Sequence, residues 1–312
     1  MDNLTHSLVG WALAETGLKR LTRKGLAACV LAANMPDIDV FFGWSSWAPL
    51  AMHRGFTHGL VGGVLLMPPL LAGLLWLLDR WQVSRGSAFA SGLPMRFGWL
   101  LALCYLGALT HPLLDLQNTY AVQLLSPASE RWFHTDGLFI ISPWLLAMLG
   151  AGIWLSRRRQ WGGPATAALA GVIGFIGVNI AISAQAWAAP GIDADRIFAA
   201  PEPLLFWRRE MVWRQAGTIT HARYDPLGQG LSEVSAPELD NMGDPLVQRA
   251  AVATPEVRKF LAWAQMPVAR IERRACSATV TFGDARFSGP RVVGSFAVAA
   301  DVPTPGPGCP PR

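Results

Sequence analysis

Long uncharged apolar stretches fill the first 190 residues of the chain and do not recur beyond them. His58–Leu78 holds 21 residues without Asp, Glu, Lys or Arg, Phe97–Leu114 and Leu138–Leu155 hold 18 each, and a last run extends from Pro164 to Ile192. A spanning helix needs about 20 predominantly apolar residues, so the pattern predicts four spans. Pro68 and Pro69 fall inside the first and Pro112 near the end of the second. A soluble helix tolerates such prolines poorly, whereas a bundle in lipid re-satisfies the backbone groups they free. Ahead of the spans, Asn3–Leu18 and Gly25–Pro36 are shorter apolar runs separated by Lys19, Arg20, Arg23 and Lys24. At 1.5 Å per residue each arm reaches about 18–24 Å, short of the ~30 Å hydrocarbon core. They predict a helical hairpin, partly inserted or shielded by the other helices. A secretory signal fits badly, because its basic residues would precede the apolar run.

After Pro190 the pattern changes. Arg208–Thr220 contains strand-like stretches, Pro255–Gln265 reads as a short helix, and Val268–Ile271, Ala278–Phe282 and Val292–Ala299 read as strands. The predicted fold class is mainly α: a polytopic helical membrane bundle over 1–190, with about four spans and the N-terminal hairpin. A small soluble α+β domain follows over 191–302, and the Pro/Gly-rich tail 303–312 is expected to be disordered. Composition supports the division. Only 15% of the 312 residues are charged, against roughly 25% in an average soluble domain. Residues 1–189 carry 12 basic and 8 acidic side chains, residues 190–312 carry 14 and 13. The net charge of +5 therefore lies mostly in the membrane part. It reads as topology, and no nucleic-acid partner is expected.

Lys and Arg near span ends orient such a bundle. The 79–96 loop carries Arg80, Arg85 and Arg96, and the 156–163 loop carries Arg157, Arg158 and Arg159. With alternating spans both loops, and the basic hairpin turn, lie on the cytoplasmic side. The other side then receives the N-terminus, the 36–57 and 115–137 segments and the C-terminal region. Five of the six histidines (His6, His53, His58, His111 and His134) fall there, together with Asp37, Asp39, Asp115 and Asp136. Cys276 and Cys309 would share that oxidising side, where a disulfide is an option. Cys29 and Cys104 read as packing residues.

Four short stretches hold this polar set: Thr5-His6-Ser7, Pro36-Asp37-Ile38-Asp39, His53-Arg54-Gly55-Phe56-Thr57-His58 and Thr110-His111-Pro112-Leu113-Leu114-Asp115. Neutral imidazoles mixed with carboxylates suit zinc and other transition metals. His111 and Asp115 are four apart, on one helical face if the helix survives Pro112. Ionisable groups at membrane depth are costly and usually functional. Each stretch alone also has a plainer reading: His6 as a helix-end residue, Pro-Asp-Ile-Asp as a loop with a helix cap, and His53 and His58 as interface residues beside Arg54.

Taken together, and with Asn118-Thr119-Tyr120, Leu125-Ser126-Pro127 and Phe139-Ile140-Ile141, these stretches over about residues 1–190 resemble the YdjM/YbcI-type predicted membrane-bound metal-dependent hydrolases. That family is thought to be distantly related to zinc-dependent phospholipases C and single-strand-specific zinc nucleases, helical enzymes with a cluster of zinc ions. The resemblance implies a bacterial inner-membrane protein and a metal site of one to three ions, with Zn2+ expected. It places His6, Asp37 or Asp39, His53 or His58, His111 and Asp115 as ligands. The His-x3-Glu of the zinc enzymes has no match here, the nearest residues being His134 and Asp136. Those enzymes also use the mature N-terminus as a ligand, and this chain begins Met1-Asp2.

The expected chemistry is phosphoester hydrolysis. A bound metal lowers the pKa of its water to about 7, and a second would clamp phosphoryl oxygens. Asp37 or Asp39 would orient or deprotonate the water, and Arg54 would pair with a phosphate oxygen or with lipid headgroups. A site at the outer membrane–water boundary points to a lipid or lipid-linked phosphate as substrate. The alternatives are a non-catalytic metal-binding or structural membrane protein, and last a transporter, which would carry ionisable groups deeper in its spans or internal repeats.

Overall fold

A computed structural model describes residues 1–42, 54–287 and 296–304. Its contacts divide the chain into two units. The first is built on Met1–Phe42, residues 54–183 and Ala200–Trp207, the second on Ala184–Ala199 and the described residues from 208 onward.

The membrane unit begins with the expected hairpin. Helix α1 (Asn3–Glu15) is opened by Asp2, whose side chain accepts from the Thr5 backbone N–H at 3.0 Å and the Thr5 hydroxyl at 2.5 Å. Such a cap satisfies donors that the first helical turn leaves free. The turn to α2 (Gly25–Asn34) uses Gly17 at φ 118°. Next comes a segment of π-helix (Leu60–Leu66) running into α3 (Met67–Ser84), then α4 (Phe97–Asp115), α5 (Pro143–Arg159) and α6 (Gly163–Ala188). The Tyr105 hydroxyl donates to the Leu65 carbonyl at 3.4 Å, a carbonyl that Pro69, lacking N–H, cannot serve in an α-helix. Helix α4 continues through Pro112 to Asp115.

Among the described residues, three helical stretches are long and apolar enough to span: Leu60–Ser84, Phe97–Asp115 and Gly163–Ala188. The fourth expected span is not among them. Helix α5 starts at Pro143, where Ser142 caps the Leu145 N–H, and its 17 residues end in Arg157, Arg158 and Arg159. Residues 138–142 are used otherwise: Leu138 N–H donates to the Gln117 carbonyl and Asp2 N–H to the Ile140 carbonyl. The Ser142-Pro143 step starts the helix there and takes residues 138–142 out of the uncharged run 138–155.

Small residues set the packing around α2. A Cβ at Gly10 of α1 or Gly107 of α4 would sit 2.6 Å from the Cys29 carbonyl of α2, so both helices press against the same turn. The Ser7 hydroxyl accepts from the Asn34 amide at 3.1 Å, and His111 Nδ1 lies 2.7 Å from the Ala33 carbonyl. Helix α1 thus runs antiparallel to α2 and α4 parallel to it, and His6 and His111 both arrive beside the C-terminal end of α2.

Among the described residues the C-terminal unit carries two sheets. Strands β1 (Arg196–Pro201), β2 (Arg209–Gln215), β3 (Thr218–Asp225) and β4 (Gly230–Ser232) are ordered β1-β2-β3-β4, with β5 (Glu238–Leu239) also on β3. Strands β6 (Pro267–Arg273), β7 (Ser277–Asp284) and β8 (Ala297–Pro303) form the second sheet in sequence order, after helices α7 (Pro245–Ala251) and α8 (Pro255–Trp263). Pairing is antiparallel from β2 to β5 and from β6 to β8. On β7 burial alternates residue by residue, as a sheet with one packed face requires. The α+β reading of this region holds. Pro303, expected to open a disordered tail, is instead the last residue of β8 and pairs with Ser277. Residues 292–295 and Cys309 lie outside the described residues.

Candidate metal centre

Three short segments bring the polar stretches together. Asn34 closes α2 and the chain passes into a 3-10 segment, Met35–Phe42, which delivers Asp37 and Asp39. His58 ends a 3-10 turn, Phe56–His58, held by two glycines: a Cβ at Gly62 would lie 2.2 Å from the Phe56 carbonyl, and one at Gly63 2.2 Å from that of Thr57. Only residues without a side chain allow this turn to lie on the π-helical segment. His111 and Asp115 come from the last turn of α4, one above the other.

Asp37, His58, His111 and Asp115 each offer one ligand atom, all within 4.8 Å of one another, and all four residues are buried. His58 Nε2 lies 3.2 Å from Asp37 Oδ1 and 3.4 Å from Asp115 Oδ2. His111 Nε2 lies 3.4 Å and 3.6 Å from the same two oxygens. The outer nitrogens are held from behind. His111 Nδ1 donates to the Ala33 carbonyl at 2.7 Å. His58 Nδ1 lies 3.4 Å from Asp39 Oδ2 and 3.1 Å from the Thr57 hydroxyl, which itself donates to Asp39 at 2.5 Å. Both rings therefore present Nε2 inward, with tautomer and orientation fixed by groups outside the cluster, as metal-bound histidines generally are. Burial disfavours the charged form of Asp37, but the imidazoles of His111 and His58 beside it outweigh that and hold its pKa well below the carboxylate range.

The donor set fits a divalent metal on the structure's own terms. Among the described residues, His111 Nε2, Asp115 Oδ2 and both His6 nitrogens are buried with no hydrogen-bond partner. Buried polar atoms are nearly always paired, and two of these atoms, His111 Nε2 and Asp115 Oδ2, belong to the group of four. Two imidazoles and two carboxylates make a nitrogen–oxygen set of the kind that binds zinc and related metals.

The other expected residues take different places. His6 stacks on His111 at 3.8 Å between centroids, with Nε2 3.5 Å from Asp115 Oδ1, so it flanks the group of four. Asp39 stands behind His58. Arg54 is 4% exposed, at φ 68°; it donates to Asn118 at 2.6 Å, reaches within 3.5 Å of Asp115 and lies over the Tyr120 ring. His134 and Asp136 pair with each other at 2.9 Å and are not part of the group. His53 lies outside the described residues. Three participants escaped residue-by-residue reading: the Met1 amine, paired with Asp115 Oδ1, the Ala33 carbonyl, and Thr57. A carbonyl carries no side-chain signal; the Thr beside His58 was visible but had no assigned role.

No curated protein and no solved structure matches the chain. Residues 1–187, which contain every residue of this cluster, match the family described as YdjM inner membrane protein, and the chain belongs to that family.

Proposed function

We propose that the protein is a membrane-bound metal-dependent hydrolase acting on a phosphoester, a lipid or lipid-linked phosphate, at the membrane–water boundary. The observation that carries this reading is the buried group of Asp37, His58, His111 and Asp115, in which His111 Nε2 and Asp115 Oδ2 have no hydrogen-bond partner. A divalent metal held there, zinc by the donor set, would polarise a phosphoryl oxygen and acidify a water. Asp37, between the two imidazoles, holds the charge that such a site needs. Asp39 fixes His58 and stands next in line to accept a proton. Arg54, beside Asp115, is the cation placed to pair with a phosphate oxygen. The site closes the ends of two spanning stretches, His58 just before Leu60 and Asp115 at the end of α4, which supports a substrate drawn from the boundary. In this reading α5, at 17 residues, crosses as a short fourth span that thins the bilayer around it, and the metal site and C-terminal unit face away from the cytoplasm, opposite the Arg-rich loops.

The test is metal content of the detergent-purified protein, beside His58→Ala and Asp115→Ala, followed by a phosphoester screen of the loaded protein. One to three zinc or manganese ions per chain, lost in both folded variants, are expected. Asp39→Asn should then lower metal affinity about 10–100-fold. A wild type that stays metal-free after reconstitution overturns the reading. A loaded protein inert toward every phosphoester favours a metal that ties the helices together.

A further inference from the structure

The end of the membrane unit away from the metal cluster carries a second concave surface. His6 and Glu15 stand at opposite ends of α1, nine residues or about 14 Å apart. Beside Glu15 lies a cavity of about 670 Å3 walled by Lys19, Arg20, Arg157 and Trp161 among others. Gly162 shapes it by bringing the α5–α6 turn onto the Thr16 carbonyl, where a Cβ would lie 2.5 Å away. A groove of about 740 Å3 opens beside it, lined by Leu8, Trp11, Gly150, Ile153 and Trp154, and shares Arg157 and Gln160 with the cavity.

Polarity along this surface is graded as a bilayer is. Gly150, Ile153 and Leu8 form an apolar floor. Trp154 and Trp161 are 57% and 63% exposed, the level at which tryptophans mark the membrane interface. Arg157 lies over Trp11 at 5.5 Å and Arg158 over Trp154 at 5.3 Å, so each cation sits above an indole. Glu15 is already matched: it accepts from Trp11 at 3.1 Å and pairs with Lys19 at 2.5 Å. Arg20, Arg157 and Arg158 then leave a positive surplus at the head of an apolar groove.

We infer that this surface binds one anionic phospholipid, its phosphate between Arg157 and Arg20 and an acyl chain along Leu8, Gly150 and Ile153. Charge complementarity selects the headgroup and the groove between α1 and α5 takes the chain. The site is separate from the metal cluster, and the lipid there is a bound component rather than a substrate.

Full-length protein stripped of lipid in neutral detergent would be titrated with phosphatidylglycerol and with phosphatidylcholine of identical acyl chains, reading bound lipid by native mass spectrometry. Phosphatidylglycerol is expected to bind about tenfold more tightly, and Arg157→Ala or Arg20→Ala each to weaken it about fivefold with phosphatidylcholine unchanged, each cation near the surface being worth about 1 kcal/mol. Gly150→Leu leaves every charge in place and meets nothing within 4 Å of its Cβ; filling the groove, it should weaken phosphatidylglycerol as well. Asp115→Ala should leave lipid binding unchanged. Equal binding of the two lipids, or a phosphatidylglycerol affinity untouched by all three groove variants, overturns the inference. Displacement of phosphatidylglycerol by equimolar inorganic phosphate overturns it too, by making the basic end a site for free anions.

Discussion

Each unit of the molecule buries a cluster of ionisable side chains, and the two clusters are finished differently. In the C-terminal unit Asp284 and Arg286 are both fully buried. Asp284 takes the guanidinium on both oxygens, at 2.9 and 2.7 Å, and also accepts from the backbone N–H groups of Gln265, Met266 and Arg286. The guanidinium lies within 5.1 Å of the ring centroids of Phe198, Trp263 and Phe287. Burial alone would raise the Asp284 pKa, but Arg286 and these hydrogen bonds hold it below its ordinary value. In the membrane unit the histidines and carboxylates are buried too, yet among the described residues His111 Nε2, Asp115 Oδ2 and both His6 nitrogens have no hydrogen-bond partner. A cluster that completes itself holds a fold. One that keeps inward-facing lone pairs has a place for something the chain does not supply.

The sharpest way to break this comparison is to remove one member from the finished cluster. Asp284→Ala leaves a buried guanidinium without its carboxylate and should cost about 3–5 kcal/mol, read as faster amide exchange across β6 and β7 in the full chain. The carboxylate's own contribution is complete above about pH 3.9, the unfolded value, and is lost as pH falls through its lower native pKa. The open cluster should answer to metal instead. Zinc at 100 times its dissociation constant should add about 2.7 kcal/mol to the stability of the wild type and nothing to His58→Ala, read as the shift in thermal transition on chelation. A transition in the wild type that ignores zinc and chelator would erase the distinction between the two clusters. A smaller effect is expected at the helix contact that supports the open one. Gly107→Val drives a branched side chain toward the Cys29 carbonyl, where a Cβ alone would lie 2.6 Å away. Overpacking of this kind costs about 1–3 kcal/mol. It should also weaken zinc binding, because α4 can yield only by carrying His111 away from the Ala33 carbonyl.

Much of the open cluster was legible in the chain. His111 and Asp115 at helical spacing, the paired aspartates and the His58 turn are side-chain signals, and the hairpin follows from two apolar runs broken by four cations. Less visible was what depends on backbone packing. The division of labour between Asp37 and Asp39 follows from the 3-10 course of Met35–Phe42 and from Thr57, neither of which has a periodicity to read. His134 and Asp136 carry the right chemistry but satisfy each other. The expected fourth span is not among the helices long enough to cross, because apolar residues 138–141 serve as loop, with backbone groups of Leu138 and Ile140 bonded to Gln117 and Asp2. In the C-terminal unit β2, β6 and β7 were recognisable by alternation, while β1, β4 and β5 were not, and the Asp284–Arg286 pair, two residues apart at the end of β7, gave no sign in the sequence of being buried.

The smallest expected effect lies between the two cases, at His221 on β3. Burial lowers its pKa from the ordinary 6.5, and Glu238 and Glu210 oppose that without reversing it. The imidazole is thus kept neutral in the folded chain at a pH where the unfolded chain would protonate it. Its contribution to stability is complete above about pH 6.5 and declines as pH falls below that value toward the lower native pKa, because the unfolded state then binds more protons. His221→Gln should remove this dependence and flatten the stability of the C-terminal unit between about pH 6.5 and 5, a change smaller than any of the others. Amide exchange of β3 at the two ends of that range would measure it. An unchanged slope in His221→Gln would mean that the neighbouring glutamates, rather than burial, set the charge of this side chain, and would make the groove around it an ion-paired surface.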